Sequence, residues 1–186
     1  MPNTPSSRVR LVRLDGDDDE SEGGVSKLLE RLVEIDEACF PNDAGGVASA
    51  RTLASSRRLR RVARLVLVYE FFDDSAERTT SSEEKEKETL VAFASYTASS
   101  MCFEVTKVAC APSYRRRGHA RDAVAAILDE ARRVKIARVA LRVEKTNVAA
   151  VSLYESLGFR EDVSRARAHE GYYGAGRHGA VYEYFP

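Results

Sequence analysis

No stretch of this 186-residue chain approaches the roughly 20 consecutive apolar residues that a membrane span requires. The opening segment, MPNTPSSRVRLVRLD, has no apolar signal-peptide core. There are only three cysteines, Cys39, Cys102 and Cys110. They lie far apart, with no CxxC and no Cys/His cluster, so neither a disulfide framework nor a zinc site is predicted. Reduced thiols in a reducing compartment fit the count better. Net charge is missing too: Lys+Arg and Asp+Glu both number 29, which argues against a general nucleic-acid binder. No internal repeat is visible. The expectation is a cytoplasmic protein, with nuclear and organellar locations left open, and with no membrane, nucleic-acid or metal partner.

What is present is an ordinary soluble balance, 44% hydrophobic and 31% charged, over a length suited to one domain spanning 1–186 with its core at about 8–185. The charges are clustered: DGDDDESE (Asp15 to Glu22) and SEEKEKE (Ser82 to Glu88) are acidic, RRLRR (Arg57 to Arg61) and RRR (Arg115 to Arg117) basic. RVRLVRL, Arg8 to Leu14, alternates as a half-buried strand does. Leu28, Leu29, Leu32, Ile35 and Ala38 mark a helix, with Ser26 as a plausible cap and Pro41 and Asn42 as its stop. A weaker helix is predicted over Ala48 to Arg61, and a strand over Arg64 to Phe72. The acidic insert Asp73 to Thr89 is predicted as a solvated loop. Thr89 to Thr97 and Met101 to Cys110 read as paired strands. A helix follows from near Gly118, with Ala120, Val124, Ile127, Leu128, Ala131 and Val134 on one face. Ala137 to Val143 is a strand, and Asn147 to Phe159 a short helix closed by Gly158 in a left-handed cap. Arg160 to Ala168 and Gly179 to Phe185 are predicted strands. The order is β-α-α-β-β-β-α-β-α-β-β. A helix between two strands in mid-chain implies a parallel crossover, so the fold class is α/β (α+β): a mixed central sheet of about seven strands with flanking helices.

The segment Arg115-Arg116-Arg117-Gly118-His119-Ala120 opens the third predicted helix. A helix N-terminus carries unpaired N–H groups and a partial positive charge and receives phosphate. Gly118 and Ala120 let an anion approach the backbone, and the arginines add forked donors. The stretch reads as a diphosphate cradle, although it is neither a GxxxxGK[ST] loop nor a GxGxxG. A basic helix start facing solvent is the plainer alternative.

A second pattern follows: Asn147, Ala150, Leu153, Tyr154, Gly158 and Phe159 spell N-x-x-A-x-x-L-Y-x-x-x-G-F. Together with R-x-x-G-x-A about thirty residues earlier, it resembles the GNAT superfamily of acetyl-CoA-dependent N-acetyltransferases. The resemblance covers about Val9 to Phe185 and is firmest from Thr89 to Phe159. It implies that Arg115, Arg116, Arg117, Gly118, His119 and Ala120 hold the pyrophosphate of coenzyme A. It further implies that the backbone of Val108, Ala109 and Cys110 pairs with the pantetheine arm, and that Asn147 and Tyr154 lie near the thioester. Read without it, Asn147 is a helix N-cap and Tyr154 a core tyrosine.

Acetyl transfer requires a neutral amine, whereas α-amino groups (pKa ~8) and lysines (~10.4) are largely protonated at neutral pH; a base must take the proton, and a backbone N–H can steady the oxyanion. The resemblance points to the strand before the cradle for the base, where Glu104 stands between Phe103 and Val105. Glu104 as base and Tyr154 as acid is the expectation, with an exposed strand carboxylate as the alternative for Glu104. Arg142 occupies a place where N-terminal acetyltransferases often carry Glu or His, and an arginine cannot serve as a base. It would bind an acidic group or pair with Glu104.

The acceptor is read from two stretches. EACFPND, with Phe40 and Pro41, resembles the pocket segment of N-terminal acetyltransferases, and GYYG, with Tyr172 and Tyr173, lies where those enzymes hold the peptide backbone. The L-x-V-x-x-x-N-x-A-A-x-x-LYESLGF ending is similar to the bacterial ribosomal-protein N-terminal acetyltransferases. A protein or peptide N-terminus is therefore the expected acceptor, for a monomer or weak dimer with or without an auxiliary subunit. Arylalkylamine or polyamine acetylation, and an acyl-CoA-binding module with weak catalysis, remain as alternatives.

Overall fold

The computed structural model describes residues 7–13, 22–41, 50–56, 63–72, 87–165, 173–174 and 176–186. Its strands are β1 (Ser7–Arg13), β2 (Ala63–Phe72), β3 (Lys87–Ala98), β4 (Cys102–Cys110), β5 (Arg138–Glu144), β6 (Arg160–Glu161) and β7 (Gly179–Tyr184). Its helices are α1 (Glu22–Cys39), α2 (Ala50–Ser55), α3 (His119–Arg133) and α4 (Val148–Ser156), with a short 3-10 turn at Pro112–Tyr114. The strands form one sheet in the order β1-β2-β3-β4-β5-β7-β6. All pairings are antiparallel except β4 with β5, the crossover that α3 makes. The predicted element order and mixed sheet are the observed ones.

Each face of the sheet carries its own core. On one, Val66, Val68, Phe103, Val105, Val139 and Leu141 pack against Val124, Ile127 and Leu128 of α3 and Tyr154 of α4. On the other, Leu65, Leu67, Leu90, Phe93 and Ala109 pack against Leu29, Leu32 and Ile35 of α1 and Leu53 of α2. Alternation along a strand assigns successive residues to opposite faces, and two bulges shift that phase. Opposite Val68 and Tyr69, β3 places Ala92 and Leu90, leaving Val91 unopposed. Opposite Ser95 and Tyr96, β4 places Lys107 and Val105, leaving Thr106 unopposed. Phe103 and Val105 thus face α3, while Lys107 and Ala109, still in the same alternation of the sequence, face α1.

Several expected boundaries move. Helix α1 starts at Glu22, so Ser26 lies within it rather than capping it; packing of the leucine stripe governs such a helix more than a cap signal does. The second helix covers 50–55 of the expected 48–61, and residues 48–49 and 57–62 lie outside the described set. Strand β3 begins at Lys87, two residues inside the expected insert, and residues 73–86 are not described. Val134 is the C-cap of α3 and is exposed rather than part of its buried face; Lys135 directly after it turns left-handed (φ 59°) and ends the helix. Of the expected strand 160–168, Arg160–Glu161 is strand and residues 166–168 lie outside the described set; between them the Asp162 carboxylate accepts from the backbone N–H and hydroxyl of Ser164 (3.0 and 2.5 Å), an Asx turn that takes the backbone out of the ladder. At the end of α4, Gly158 adopts φ 92°, and the Phe159 N–H reaches back to the Tyr154 carbonyl at 3.1 Å, as a left-handed cap does.

Candidate active site

Parallel pairing between β4 and β5 lasts four residues, from Cys102↔Arg138 to Val105↔Leu141. Beyond Val105 the strands part. Val108, Ala109 and Cys110 keep their β3 partners Ala94, Phe93 and Ala92, so β4 turns toward the gap a backbone edge that has no strand partner among the described residues. The Thr106 bulge coincides with the parting. Its hydroxyl lies 2.8 Å from the Ser95 hydroxyl and donates to the Ser95 carbonyl at 3.1 Å, which holds the bulge to β3. An open strand edge beside a gap accepts an extended, amide-bearing ligand as a further strand would.

At the end of that edge the chain makes the 3-10 turn and enters α3. Arg116 (φ 67°) and Gly118 (φ 95°) are left-handed. A Cβ on Gly118 would meet nothing within 4 Å, so glycine is needed there for its backbone angle rather than for space. Gly118 is the N-cap and offers no side-chain cap, leaving the first N–H groups of α3 for an anion.

The three arginines have different surroundings. Arg115 donates from Nε to the Cys110 carbonyl (3.2 Å) and from Nη2 to Cys39 Sγ (3.5 Å); the Cys39 thiol donates to the same carbonyl at 3.1 Å. Arg116 is exposed at the left-handed turn. Arg117 reaches Glu70 of β2 with one nitrogen, Nη1 donating to both carboxylate oxygens at 3.1 and 3.0 Å. The His119 ring is buried, with Nε2 at 3.2 Å from Glu70 Oε1, while Ala120 is half-buried in the first turn of α3. Burial pushes the Cys110 thiol up to about 11, with Cys39 as the next cause.

Glu104 and Arg142 form an ion pair across β4 and β5. Because Phe103, Val105, Leu141 and Val143 face α3, this pair stands on the α1 face of the sheet. Tyr154 packs in the core of the other face, its ring 5.9 Å from that of Phe159. Burial, and secondarily Tyr173, raise its phenol to about 12. Glu104 and Tyr154 thus lie on opposite faces of the sheet, with Glu104 still within the paired part of β4. Asn147 is the N-cap of α4: its Oδ1 accepts from the Ala150 N–H at 3.2 Å. Phe40 lies half-buried just past α1, its ring 4.6 Å from the Lys107 ammonium, and Pro41 follows in an exposed turn. Tyr173 is half-buried with the Arg177 guanidinium 6.0 Å from its ring, and Arg177 forks onto Glu144 at 2.8 and 2.5 Å. Tyr172 lies outside the described residues.

Three charged residues escaped the sequence reading. Glu70, Asp36 and Lys107 are all buried. Lys107 Nζ lies 3.0 Å from Asp36 Oδ1, and Asp36 Oδ2 accepts the Ala50 N–H at 2.8 Å, so the pair ties β4, α1 and the start of α2 together. A signal existed: each charge occupies an apolar phase, as in LVYEFF or beside Leu32 and Ile35 on the α1 stripe. Among the described residues no helix is long and apolar enough to cross a membrane, and no group of three or more His, Cys, Asp or Glu is placed to hold a metal.

The seven-stranded mixed sheet, parted between β4 and β5 beside a glycine-led helix start, is the architecture that a family match accounts for. The acetyltransferase (GNAT) family matches residues 29–159, more than half of the chain, and the protein belongs to that family of acetyltransferases. It is similar to a ribosomal protein bS18-alanine N-acetyltransferase of Escherichia coli strain K12, 40% identical over 58 residues, which is 31% of this chain and 39% of that protein. The match thus spans well under half the relative's length. The crystal structure of the Escherichia coli ribosomal-protein-S18-alanine N-acetyltransferase superposes with a TM-score of 0.63 at 19% identity, over 96% of this chain and 92% of that one. The PaiA N-acetyltransferase of Thermoplasma acidophilum, solved in complex with coenzyme A, gives 0.62 at 15% identity over 97% and 99%. At these identities the structures speak for the fold.

Proposed function

We propose that this chain moves an acetyl group from acetyl-CoA to a primary amine, and that the amine is the N-terminal α-amino group of a protein or peptide. The parting of β4 and β5 after four paired residues carries the reading: it leaves a strand edge for the pantetheine amides, leading to the Arg115–Ala120 turn for the diphosphate. Of the side chains near the gap, Glu104 takes the proton of the attacking amine, directly or through a water. Arg142 already holds Oε1, so Oε2 is the accepting atom. The amine nitrogen bonds to the thioester carbon, a β4 backbone N–H steadies the oxyanion, and the C–S bond breaks. Tyr154 donates a hydrogen bond to the departing sulfur. With its phenol near 12 against a reference thiol of ~8.5, it stabilises the thiolate rather than surrendering its proton; the thiolate is protonated from solvent and Glu104 returns its own. Phe40, Pro41, Arg142 and Tyr173 bind the acceptor in this reading, and Tyr172 joins them by its place in the sequence. The similarity to a ribosomal-protein alanine acetyltransferase supports a protein acceptor and a cytoplasmic setting.

The test is mass spectrometry of a mixed peptide library incubated with acetyl-CoA. N-terminal acetylation of a defined subset is the expected product. Modification only of lysine side chains or of added spermidine or tryptamine would sink the peptide reading. The Arg142–Glu104 pair favours one other reading, an acyl-CoA-binding module with weak catalysis, which predicts binding without turnover on any amine.

A further inference from the structure

Glu70 sits near the end of β2, wholly shielded from solvent, and takes no part in the chemistry above. A carboxylate in such a place is costly unless it is paired. Both of its partners belong to the segment joining β4 to α3. Arg117 bonds its two oxygens at 3.1 and 3.0 Å, donates from Nη2 to the Ser113 carbonyl at 3.4 Å and lies 5.2 Å from the Tyr114 ring. His119, the first residue of α3, closes on Oε1 at 3.2 Å. One carboxylate on the sheet therefore fixes the turn directly at Arg117 and His119, and through Arg117 at Ser113. Between those points lies Arg116 at φ 67°, a conformation that costs a non-glycine residue about 1–2 kcal/mol and persists only where its surroundings impose it.

We propose that Glu70 is a positioning residue: it holds the Arg115–Ala120 turn in its anion-receiving shape before the ligand arrives. This rests on the reading of that turn as the diphosphate site. Glu70 also neutralises Arg117, so the groups offered to the diphosphate are the backbone N–H groups at the start of α3 and the exposed Arg116. The electrostatic alternative predicts the opposite sign. If Glu70 were only a nearby negative charge, removing it would tighten the binding of an anion; if it positions the turn, removing it weakens binding.

The experiment is calorimetric titration of coenzyme A, and of pantetheine as a probe without the diphosphate, into wild type and Glu70→Gln, with thermal melts of both. The Kd for coenzyme A is expected to rise about tenfold in the variant, the factor for a turn in its receiving shape one-tenth of the time. Pantetheine should bind both proteins alike, and the diphosphate 31P resonances should shift less on binding to the variant. If Glu70→Gln does not melt cooperatively, Arg117→Lys, which keeps the charge at a half-exposed side chain but cannot bond Glu70 and the Ser113 carbonyl from two nitrogens, carries the same expectation. Unchanged or tighter coenzyme A binding in a folded variant overturns the proposal, as does an equal loss for pantetheine. A wild type that does not bind coenzyme A overturns the diphosphate reading itself.

Discussion

Two buried ionic clusters, one on each face of the sheet, show how similar chemistry serves different ends. On the α1 face, Asp36 and Lys107 are both sealed, with side chains 7% and 6% exposed. On the α3 face, Glu70 is sealed but the Arg117 side chain is 44% exposed. The first cluster has no solvent side. It pins β4 to α1 just after the Thr106 bulge and caps the start of α2. The second has one anchored end and one open end, so it transmits a fixed position from the sheet to a surface turn. A closed pair is tied to folding, and a half-open one to what the turn binds.

The largest effect that would separate them is on stability. Lys107→Met leaves Asp36 buried and unpaired, and should cost about 3–5 kcal/mol in urea denaturation. Asp36→Asn/Lys107→Met, with neither charge left, should recover most of that; a single variant as stable as wild type would mean the pin is not sealed. On the α3 face, the raised phenol of Tyr154 has a linkage of definite sign. The unfolded chain ionises near pH 10 while the folded chain keeps the proton until about 12, so this contribution is complete below pH 10 and is lost as pH rises to 12. It amounts to about 3 kcal/mol. The stability difference between wild type and Tyr154→Phe should therefore shift in favour of the variant across that interval, and a pH-independent difference would remove the effect.

Two glycines with similar backbone angles sharpen the contrast between core and turn. Gly158 (φ 92°) would place a Cβ 3.4 Å from the Tyr184 ring, whereas Gly118 (φ 95°) has open space. Gly158→Ala should cost roughly 1–2 kcal/mol for the left-handed angle, since a Cβ at 3.4 Å makes ordinary van der Waals contact with the ring. Gly118→Ala should cost the angle alone, with its further penalty appearing in coenzyme A affinity. Similar falls in melting temperature are expected for the two variants; a much larger fall for Gly158→Ala would contradict the room beside the Tyr184 ring. The smallest expected effect is kinetic. Cys110, with its thiol raised to about 11, should react with iodoacetamide at pH 8 far more slowly than in the urea-unfolded chain, read by peptide mass spectrometry. Equal rates would place Cys110 outside the burial described.

Much of the fold was legible because it follows local rules. The leucine stripe of α1, the apolar face of α3, Asn147 as a cap and Gly158 as a stop all depend on residues within a turn or two of one another. The Arg115–Ala120 turn was legible as an anion cradle for the same reason. Its three arginines were not distinguishable, because what separates them is Glu70, forty-seven residues from Arg117, and Cys39, seventy-six from Arg115. Likewise β4 read as one alternating strand, yet the Thr106 bulge sends its two halves to opposite cores.

The sequence by itself determined the order of elements, the periodicities that make them, and the glycine-led helix start that receives an anion, since each is encoded within a few consecutive residues. Tertiary structure alone decided where β4 and β5 part, which arginine is spent on Glu70, and that Arg142 meets Glu104. Those outcomes depend on strands and charges distant in the chain being brought to a few ångströms, where the cost of burying a charge selects its partner.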